Sequence, residues 1–141
     1  MRRDEYDAYI RRFNDEDPTA FDDYISPHMR MLNGGLEFQG VQGMRDHYEN
    51  RIWPYFDEKV NVLRYVSDDT LLAVQMWTHF VAKHDAAETL FGPVVTGDAF
   101  DFRGLVLYEL EDGRFSSITV AYNSFVRTGV DGAARDLGMP H

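Results

Sequence analysis

The chain has 141 residues, 44% of them hydrophobic and 14% aromatic, a composition typical of one compact domain with a substantial core. Cysteine is absent, which excludes disulfide bonds, a thiol nucleophile and cysteine-ligated zinc. The formal net charge of −10 at pH 7 disfavours binding to nucleic acids, whose phosphates are also negative.

Local patterns disfavour further classes of protein. The five histidines are not spaced as zinc ligands usually are, so we expect no metal ion. No apolar run reaches the roughly 18 residues that cross a membrane. The polar start MRRDEYDAY lacks the hydrophobic stretch of a secretion signal. We therefore expect a cytoplasmic protein with no membrane partner.

The first part of the chain follows a helical period. One apolar stripe predicts a helix over residues 4–13, formed by Tyr6, Tyr9, Ile10 and Phe13. Asp17 is a suitable N-cap for a second helix, and Pro18 suits its first position. This helix carries Phe21 inward and ends near Pro27, because a proline disfavours helical geometry in the residue before it.

A third helix and four strands are predicted after a short extended segment that ends at Gly34 and Gly35. Helical spacing continues over residues 41–53 and stops at Pro54, where the period changes from 3.6 to 2. The strands form two predicted antiparallel pairs, residues 59–66 with 70–85 and residues 100–110 with 114–127. Helices followed by strands indicate an α+β protein with its helices on one face of an antiparallel sheet.

Two segments lie outside this pattern. Residues 84–99 form a connection longer than a hairpin needs and contain the apolar Leu90 and Phe91. Such a loop is typical of a packed flap or of a lid over a site. The tail, residues 128–141, is expected to form one short helical turn after Asp131.

The predicted strand LLAVQMWTHFVA, residues 71–82, has an apolar face and an amphipathic face. Successive side chains alternate, so one face holds Val74, Met76, Thr78 and Phe80 and the other holds Gln75, Trp77 and His79. The Val74 face is typical of an ordinary core, and the Gln75 face is amphipathic. The alternation alone leaves open whether the Gln75 face meets water, another protein chain or a ligand pocket.

Three stretches resemble a known family: YIRRFNDEDPTAF, EFQGVQGMRDHY and FRGLVLYELEDGRFSSI. Together with the order of helices and hairpins, they resemble the nuclear transport factor 2-like superfamily, and in particular its SnoaL-like and ketosteroid-isomerase-like domains. The resemblance covers nearly the whole chain, taken as a single domain over residues 1–141. It implies an α+β, cone-shaped, cystatin-like fold in which a strongly curved antiparallel β-sheet wraps around the amino-terminal helices.

The resemblance also implies a function. The open end of such a cone admits a small hydrophobic molecule, and the convex face of the sheet pairs with a second subunit, so we expect a homodimer. We expect a cofactor-independent isomerase, cyclase or dehydratase acting on a small apolar oxygenated substrate, polyketide-, terpenoid- or aromatic-derived. The alternatives are a non-catalytic binding protein with the same pocket, and a dimeric scaffold without a pocket.

The catalytic residues of the family are matched only in part. In ketosteroid-isomerase-like relatives a tyrosine five residues before an asparagine donates to the developing enolate oxygen, and Tyr9 with Asn14 matches that spacing. The family's acids fall near residues 31–33 and 105–106, where this chain has none. In relatives that resemble scytalone dehydratase, an aspartate and a histidine correspond to Asn14 and Asn61.

These considerations predict a site. His79 is the candidate general base because the ordinary pKa of histidine lies near neutrality, with Tyr9 as the proton donor. The alternative for His79 is a half-buried strand histidine bonded to a neighbouring strand or lying at a dimer interface. The candidate binding residues are Asn14, Trp53, Tyr55, Asn61, Gln75, Trp77, Phe91, Tyr108, Tyr122 and Asn123. Asp101 and Arg103 are expected to pair on the sheet surface, and His28, His47 and His84 to be exposed.

Overall fold

A computed structural model describes residues 1–138. Three helices and a π-helix occupy the first part of the chain, as α1 (Arg3–Asn14), α2 (Thr19–Tyr24), α3 (Gly40–His47) and the π-helix Tyr48–Ile52. Seven strands complete the fold: β1 (Ile25–Asn33), β2 (Leu36–Gln39), β3 (Phe56–Ser67), β4 (Leu71–Ala82), β5 (Ala99–Glu111), β6 (Arg114–Thr128) and β7 (Ala134–Asp136). Within residues 1–138, no helix is both long enough and apolar enough to cross a membrane.

The strands form one curved, unclosed sheet in the order β2-β1-β6-β5-β4-β3, with β7 added beside β6. The predicted α+β cone is confirmed. The sheet is mixed rather than antiparallel throughout, because β1 runs parallel to β6. One bulge lies between Arg103 and Gly104, where a Cβ on Gly104 would approach the Ala121 carbonyl oxygen to 2.5 Å. Bulges of this kind bend a strand and increase its twist, which curves the sheet around the helices.

Helix α1 packs its predicted stripe onto the concave face of the sheet. Tyr6, Tyr9, Ile10 and Phe13 are all at most 8% exposed. At the end of the helix, the Asn14 side chain donates to the Val60 carbonyl oxygen at 3.0 Å and accepts from the Val60 amide at 2.8 Å. These two hydrogen bonds fix the end of α1 against β3.

Several predicted boundaries were wrong, including the end of β4, which lies at Ala82 rather than at residue 85. Strand β1 begins at Ile25, directly after α2, and tolerates Pro27 because its register with β6 is irregular between Ile25 and Arg30. Strand β3 begins at Phe56, three residues earlier than predicted. The third helix is divided, since the α-helical hydrogen bonds give way to a π-helix from Tyr48.

The tail also differs from its prediction. Ala134–Asp136 pairs antiparallel with β6, where a helical turn had been expected, and the Leu137 amide extends this pairing by donating to the Phe125 carbonyl oxygen. An open edge of β6 offers unpaired backbone groups, and an extended tail satisfies them. The last part of the predicted tail, residues 139–141, lies outside the described residues.

Candidate active site

A cavity of about 330 Å³ lies between α1, the π-helix and the concave face of the sheet. We call it the cone cavity. Its volume is at the lower end of the range for small-molecule sites. Its walls are mainly aromatic and aliphatic, and strand β4 contributes Met76, Thr78 and Phe80. The sequence left open which face of β4 lines a pocket. The structure shows that it is the face with Met76, Thr78 and Phe80.

Four predicted site residues line the cone cavity, namely Tyr9, Phe91, Tyr108 and Tyr122. Phe91 comes from the loop of residues 83–98, and its ring lies 4.9–5.1 Å from the rings of Phe56, Phe80, Phe100 and Phe125. The expectation of an apolar flap is consistent with this placement. Burial raises the pKa of Tyr9 and of Tyr108, so both remain neutral phenols at neutral pH.

His79, Gln75 and Trp77 lie on the convex face of the sheet, away from the cone cavity, because they alternate with the residues that line it. His79 Nδ1 lies 2.8 Å from Asp101 Oδ1, and the Trp77 indole donates to the same oxygen at 2.6 Å. The Arg103 guanidinium lies 4.7 Å from the centre of the Trp77 ring. Asp101 therefore binds His79 and Trp77, and the expected pair of Asp101 with Arg103 does not form. His79 is bonded to the neighbouring strand β5, which agrees with the alternative given for it in the sequence analysis.

The remaining predicted residues are also outside the cavity wall. Asn14 holds α1 to β3, and Trp53 is buried with its ring stacked 5.7 Å from that of Phe21. Tyr55 contacts His84 beneath the loop, with ring centres 5.7 Å apart. Asn61 and Asn123 are exposed on the sheet, and the Asn61 side-chain amide donates to the Trp77 carbonyl oxygen. Sequence spacing could not separate core packing from pocket lining for these residues.

Glu58 is the acid that sequence reasoning missed. It lines the cone cavity, is 5% exposed, and its Oε2 has no hydrogen-bond partner among the described residues. Burial, and to a smaller extent the negative charge of Glu16, raises its pKa to about 8 against the opposing charge of Lys59. Glu58 is therefore mainly protonated at neutral pH and can donate a proton inside an apolar cavity.

A signal for Glu58 was present in the sequence. Phe56, Glu58 and Val60 alternate along β3 and are buried, whereas Asp57 and Lys59 between them are exposed. A carboxylate at a core position of an alternating strand is uncommon, because an unpaired charge is costly to bury. The predicted strand began at residue 59, which left Glu58 in a loop and concealed this pattern.

His47 is the basic side chain of the described cavity wall, and the expectation that it is exposed was wrong. It is 9% exposed, its ring stacks 5.0 Å from that of Phe38, and its Nδ1 is buried without a partner among the described residues. Burial, and to a smaller extent the positive charge of Arg51, lowers its pKa to about 4. His47 is therefore neutral at neutral pH and can accept a proton.

Tyr48 and Tyr108 complete the polar part of the wall. The Tyr48 ring lies 4.7 Å from that of His47, and the negative charge of Glu58 contributes to the raised pKa of Tyr48, after burial. The hydroxyls of Tyr108 and Tyr6 are 2.9 Å apart. The cavity wall thus contains tyrosine hydroxyls together with Glu58, which is protonated at neutral pH, and His47, which is neutral at the same pH. Environments that shift two pKa values in opposite directions are typical of acid–base sites.

Sequence and structure comparisons agree with this architecture. The SnoaL-like domain family matches residues 6–118. The chain belongs to this family. The SnoaL-like resemblance inferred from the sequence is thereby confirmed. A search of curated proteins finds no match to this SnoaL-like chain.

Solved structures show the same fold at low sequence identity. A candidate polyketide cyclase from Xanthomonas campestris is 21% identical, with a TM-score of 0.71 over 84% of this chain and 87% of its own. A SnoaL-like polyketide cyclase from Agrobacterium tumefaciens is also 21% identical, with a TM-score of 0.65 over the same shares. An LEH-like epoxide hydrolase from M. tuberculosis is 14% identical, with a TM-score of 0.62 over 84% of this chain and 79% of its own. At these identities the likeness establishes the fold alone.

Proposed function

We propose that this SnoaL-like protein is a cofactor-independent acid–base enzyme of the isomerase or cyclase type. Its substrate would be a small, mostly apolar, oxygenated molecule bound in the cone cavity. The observation that carries the proposal is Glu58, a buried carboxyl group with an unpartnered oxygen in a wall of aromatic side chains. A protein gains no stability from such a group, since burying it without a partner is costly.

The proposed reaction begins with enolisation of a substrate carbonyl. Glu58 gives its proton to the carbonyl oxygen while the neutral His47 takes a proton from the adjacent carbon, and the C–H electron pair forms the carbon–carbon double bond of the enol. Tyr9 and Tyr108 are neutral donors that stabilise negative charge on the oxygen. When the enol is conjugated with a second double bond, His47 returns its proton to the far carbon of the dienol while the enol hydroxyl gives its proton back to Glu58, which completes an isomerisation. In a cyclisation the enol carbon attacks a second carbonyl, whose oxygen takes the proton from His47, and the enol hydroxyl again restores the proton of Glu58.

Hydrogen exchange tests this proposal without the natural substrate. Acetylnaphthalene, a neutral ketone, is incubated with the protein in D₂O, and NMR follows the loss of the methyl protons beside its carbonyl. We expect exchange faster than in buffer, reduced at least roughly 100-fold in Glu58→Gln, because a positioned acid contributes about this factor or more. His79→Gln, altered on the convex face, is expected to retain the exchange rate. Loss of exchange in His79→Gln alone would contradict the assignment.

The second candidate function is non-catalytic binding of a small molecule. It is favoured by one observation, that the positions of the family's acids near residues 31–33 and 105–106 hold none in this chain. In this case acetylnaphthalene binds the wild-type protein, its methyl protons exchange no faster than in buffer, and Glu58→Gln changes affinity alone.

The cytoplasmic homodimer expected from the sequence is also part of this proposal. An apolar row crosses the convex face from Val66 on β3, over Ala73 on β4, to Leu105 and Leu107 on β5. Val66, Leu105 and Leu107 are 66%, 60% and 44% exposed. Exposed leucines side by side are typical of a surface that a partner covers. A second copy of the chain would bury this row and leave the cone cavity, on the opposite face, open to substrate.

A further inference from the structure

We infer that the substrate is an uncharged, ring-bearing carbonyl compound and that the cone cavity excludes carboxylates. The inference rests on the proposed function, which it extends from a reaction type to a substrate class. It is carried by the charges of the cavity wall, by the arrangement of its rings and by its volume.

At neutral pH no side chain known to line the cavity carries a positive charge that would neutralise an anion, because His47, the basic side chain in the described wall, is neutral with a pKa of about 4. Among the described residues that line it, none is arginine or lysine, and the three residues after Gly138 are also neither. The ionisable groups that face Glu58 are Tyr9 on α1 and Tyr48 on the π-helix, while Glu16 and Lys59 act on it from beyond the wall. A carboxylate entering this space would lose its hydration without gaining a counter-ion.

The apolar part of the wall is suited to a flat ring. The rings of Phe102 and Tyr122 lie 4.3 Å apart, and those of Phe91 and Phe125 lie 5.0 Å apart. All four residues line the cavity. Aromatic side chains pack favourably on the faces and edges of a ligand ring. A volume of about 330 Å³ limits the ligand to a compact molecule of one or two rings.

A protonated amine would also find aromatic faces here, so it requires a separate argument. Its charge would be balanced only if Glu58 lost its proton. Glu58 could then no longer donate that proton to a substrate oxygen. A carbonyl oxygen, in contrast, accepts a hydrogen bond from the neutral carboxyl and satisfies it. The acid–base role of Glu58 therefore selects the neutral ligand over the cationic one.

Three probes of matched shape test the substrate class by calorimetric binding at about pH 6. They are acetylnaphthalene, which is neutral, naphthoate, which is negative, and naphthylethylamine, which is positive. We expect the ketone to bind at least roughly 100-fold more tightly than naphthoate, the factor that an unpaired charge of modest burial costs. We also expect it to bind more tightly than the amine. Naphthoate within about threefold of the ketone, an amine that binds tightest, or no binding of the ketone would each overturn the inference.

Glu58→Gln separates the two reasons for which an anion could be excluded. If the missing counter-ion is the cause, naphthoate remains weaker than the ketone in this variant, because glutamine adds no positive charge. If exclusion disappears, repulsion by Glu58 was the cause and the inference fails. These results are independent of the exchange assay. If the ketone binds selectively but its protons do not exchange, the substrate class is supported and the proposed catalysis is rejected. If exchange depends on Glu58 but naphthoate binds as tightly as the ketone, the catalysis is supported and the substrate class is rejected.

Discussion

Glu58 is expected to destabilise the fold at the pH at which it serves the proposed reaction. Its pKa in the native protein rises to about 8, whereas an exposed glutamate in the unfolded chain has a pKa of about 4.3. Between these two values the unfolded chain releases the proton and the native protein retains it. Rising pH therefore favours unfolding across this interval.

The Glu58→Gln variant should consequently be more stable than the wild type near neutral pH. We expect its free energy of unfolding to rise by on the order of 2 kcal/mol at pH 7, with little gain at pH 4 and the full gain above pH 8. Urea denaturation at about pH 5 and pH 7 measures the difference. Glu88→Gln, which alters an exposed loop acid, is the matched control and should show no gain. A Glu58→Gln effect independent of pH would mean that the native carboxyl is ionised.

The pH dependence of proton exchange should reflect both shifted groups. His47 accepts a proton only above its pKa of about 4, and Glu58 donates one only below its pKa of about 8. The rate of acetylnaphthalene exchange at low ketone concentration should therefore rise through pH 4 and fall through pH 8. In His47→Asn the rate should drop over the whole range, while circular dichroism confirms that the variant is folded. An optimum confined to pH values above 8 would contradict the assignment.

At the scale of the elements, the bulge at Gly104 is one of several irregularities that bend the sheet. A Cβ at this position would lie 2.5 Å from both the Ala121 carbonyl oxygen and the Tyr122 Cα. Gly104→Ala should therefore shift β5 away from β6 and lower the free energy of unfolding by about 2–3 kcal/mol, the upper range for an overpacked site. Gly35→Ala is the matched control, since its Cβ would meet nothing within 4 Å. Thermal unfolding of both variants compares the two positions, and equal losses would be inconsistent with a clash at the bulge.

Local sequence patterns predicted most of the elements, because helical and strand periods are set by which side chains face the core. The α1 stripe and the alternation along β4 are examples, and both are confirmed. The parallel pairing of β1 with β6 was not predictable in this way, since it joins segments about 90 residues apart in the chain. The predicted β3 began at Lys59, three residues after its actual start at Phe56.

The candidate site was less predictable than the fold for a physical reason. A tyrosine or tryptophan in a strand or helix has the same spacing whether it packs in a core or lines a cavity. Tyr9 and Trp53 illustrate this, since both are buried and only Tyr9 reaches the cavity wall. Only the alternation of Glu58 with buried apolar residues distinguished a functional group from packing, and it required the correct strand boundary.

At the scale of the whole molecule, the two faces of the sheet differ in what they present. The concave face surrounds the cone cavity, and the convex face carries the row of Val66, Leu105 and Leu107 beside the cluster of Trp77 and His79. Substitutions on one face should therefore leave the other undisturbed. The homodimer proposal places the partner on the convex face, so oligomeric state and ligand binding should be separable by mutation.

Leu105→Asp tests this separation. Leu105 is 60% exposed in the single chain, so the substitution should leave the monomer folded while placing a charge within the proposed interface. We expect light scattering after size exclusion to give twice the 16.3 kDa chain mass for the wild type and the single mass for Leu105→Asp. Val130→Asp, a control at an equally exposed position away from this row (66%), should remain dimeric. Because the cavity lies on the opposite face, monomeric Leu105→Asp should still bind acetylnaphthalene. If the wild-type protein is already monomeric, the proposed interface is wrong.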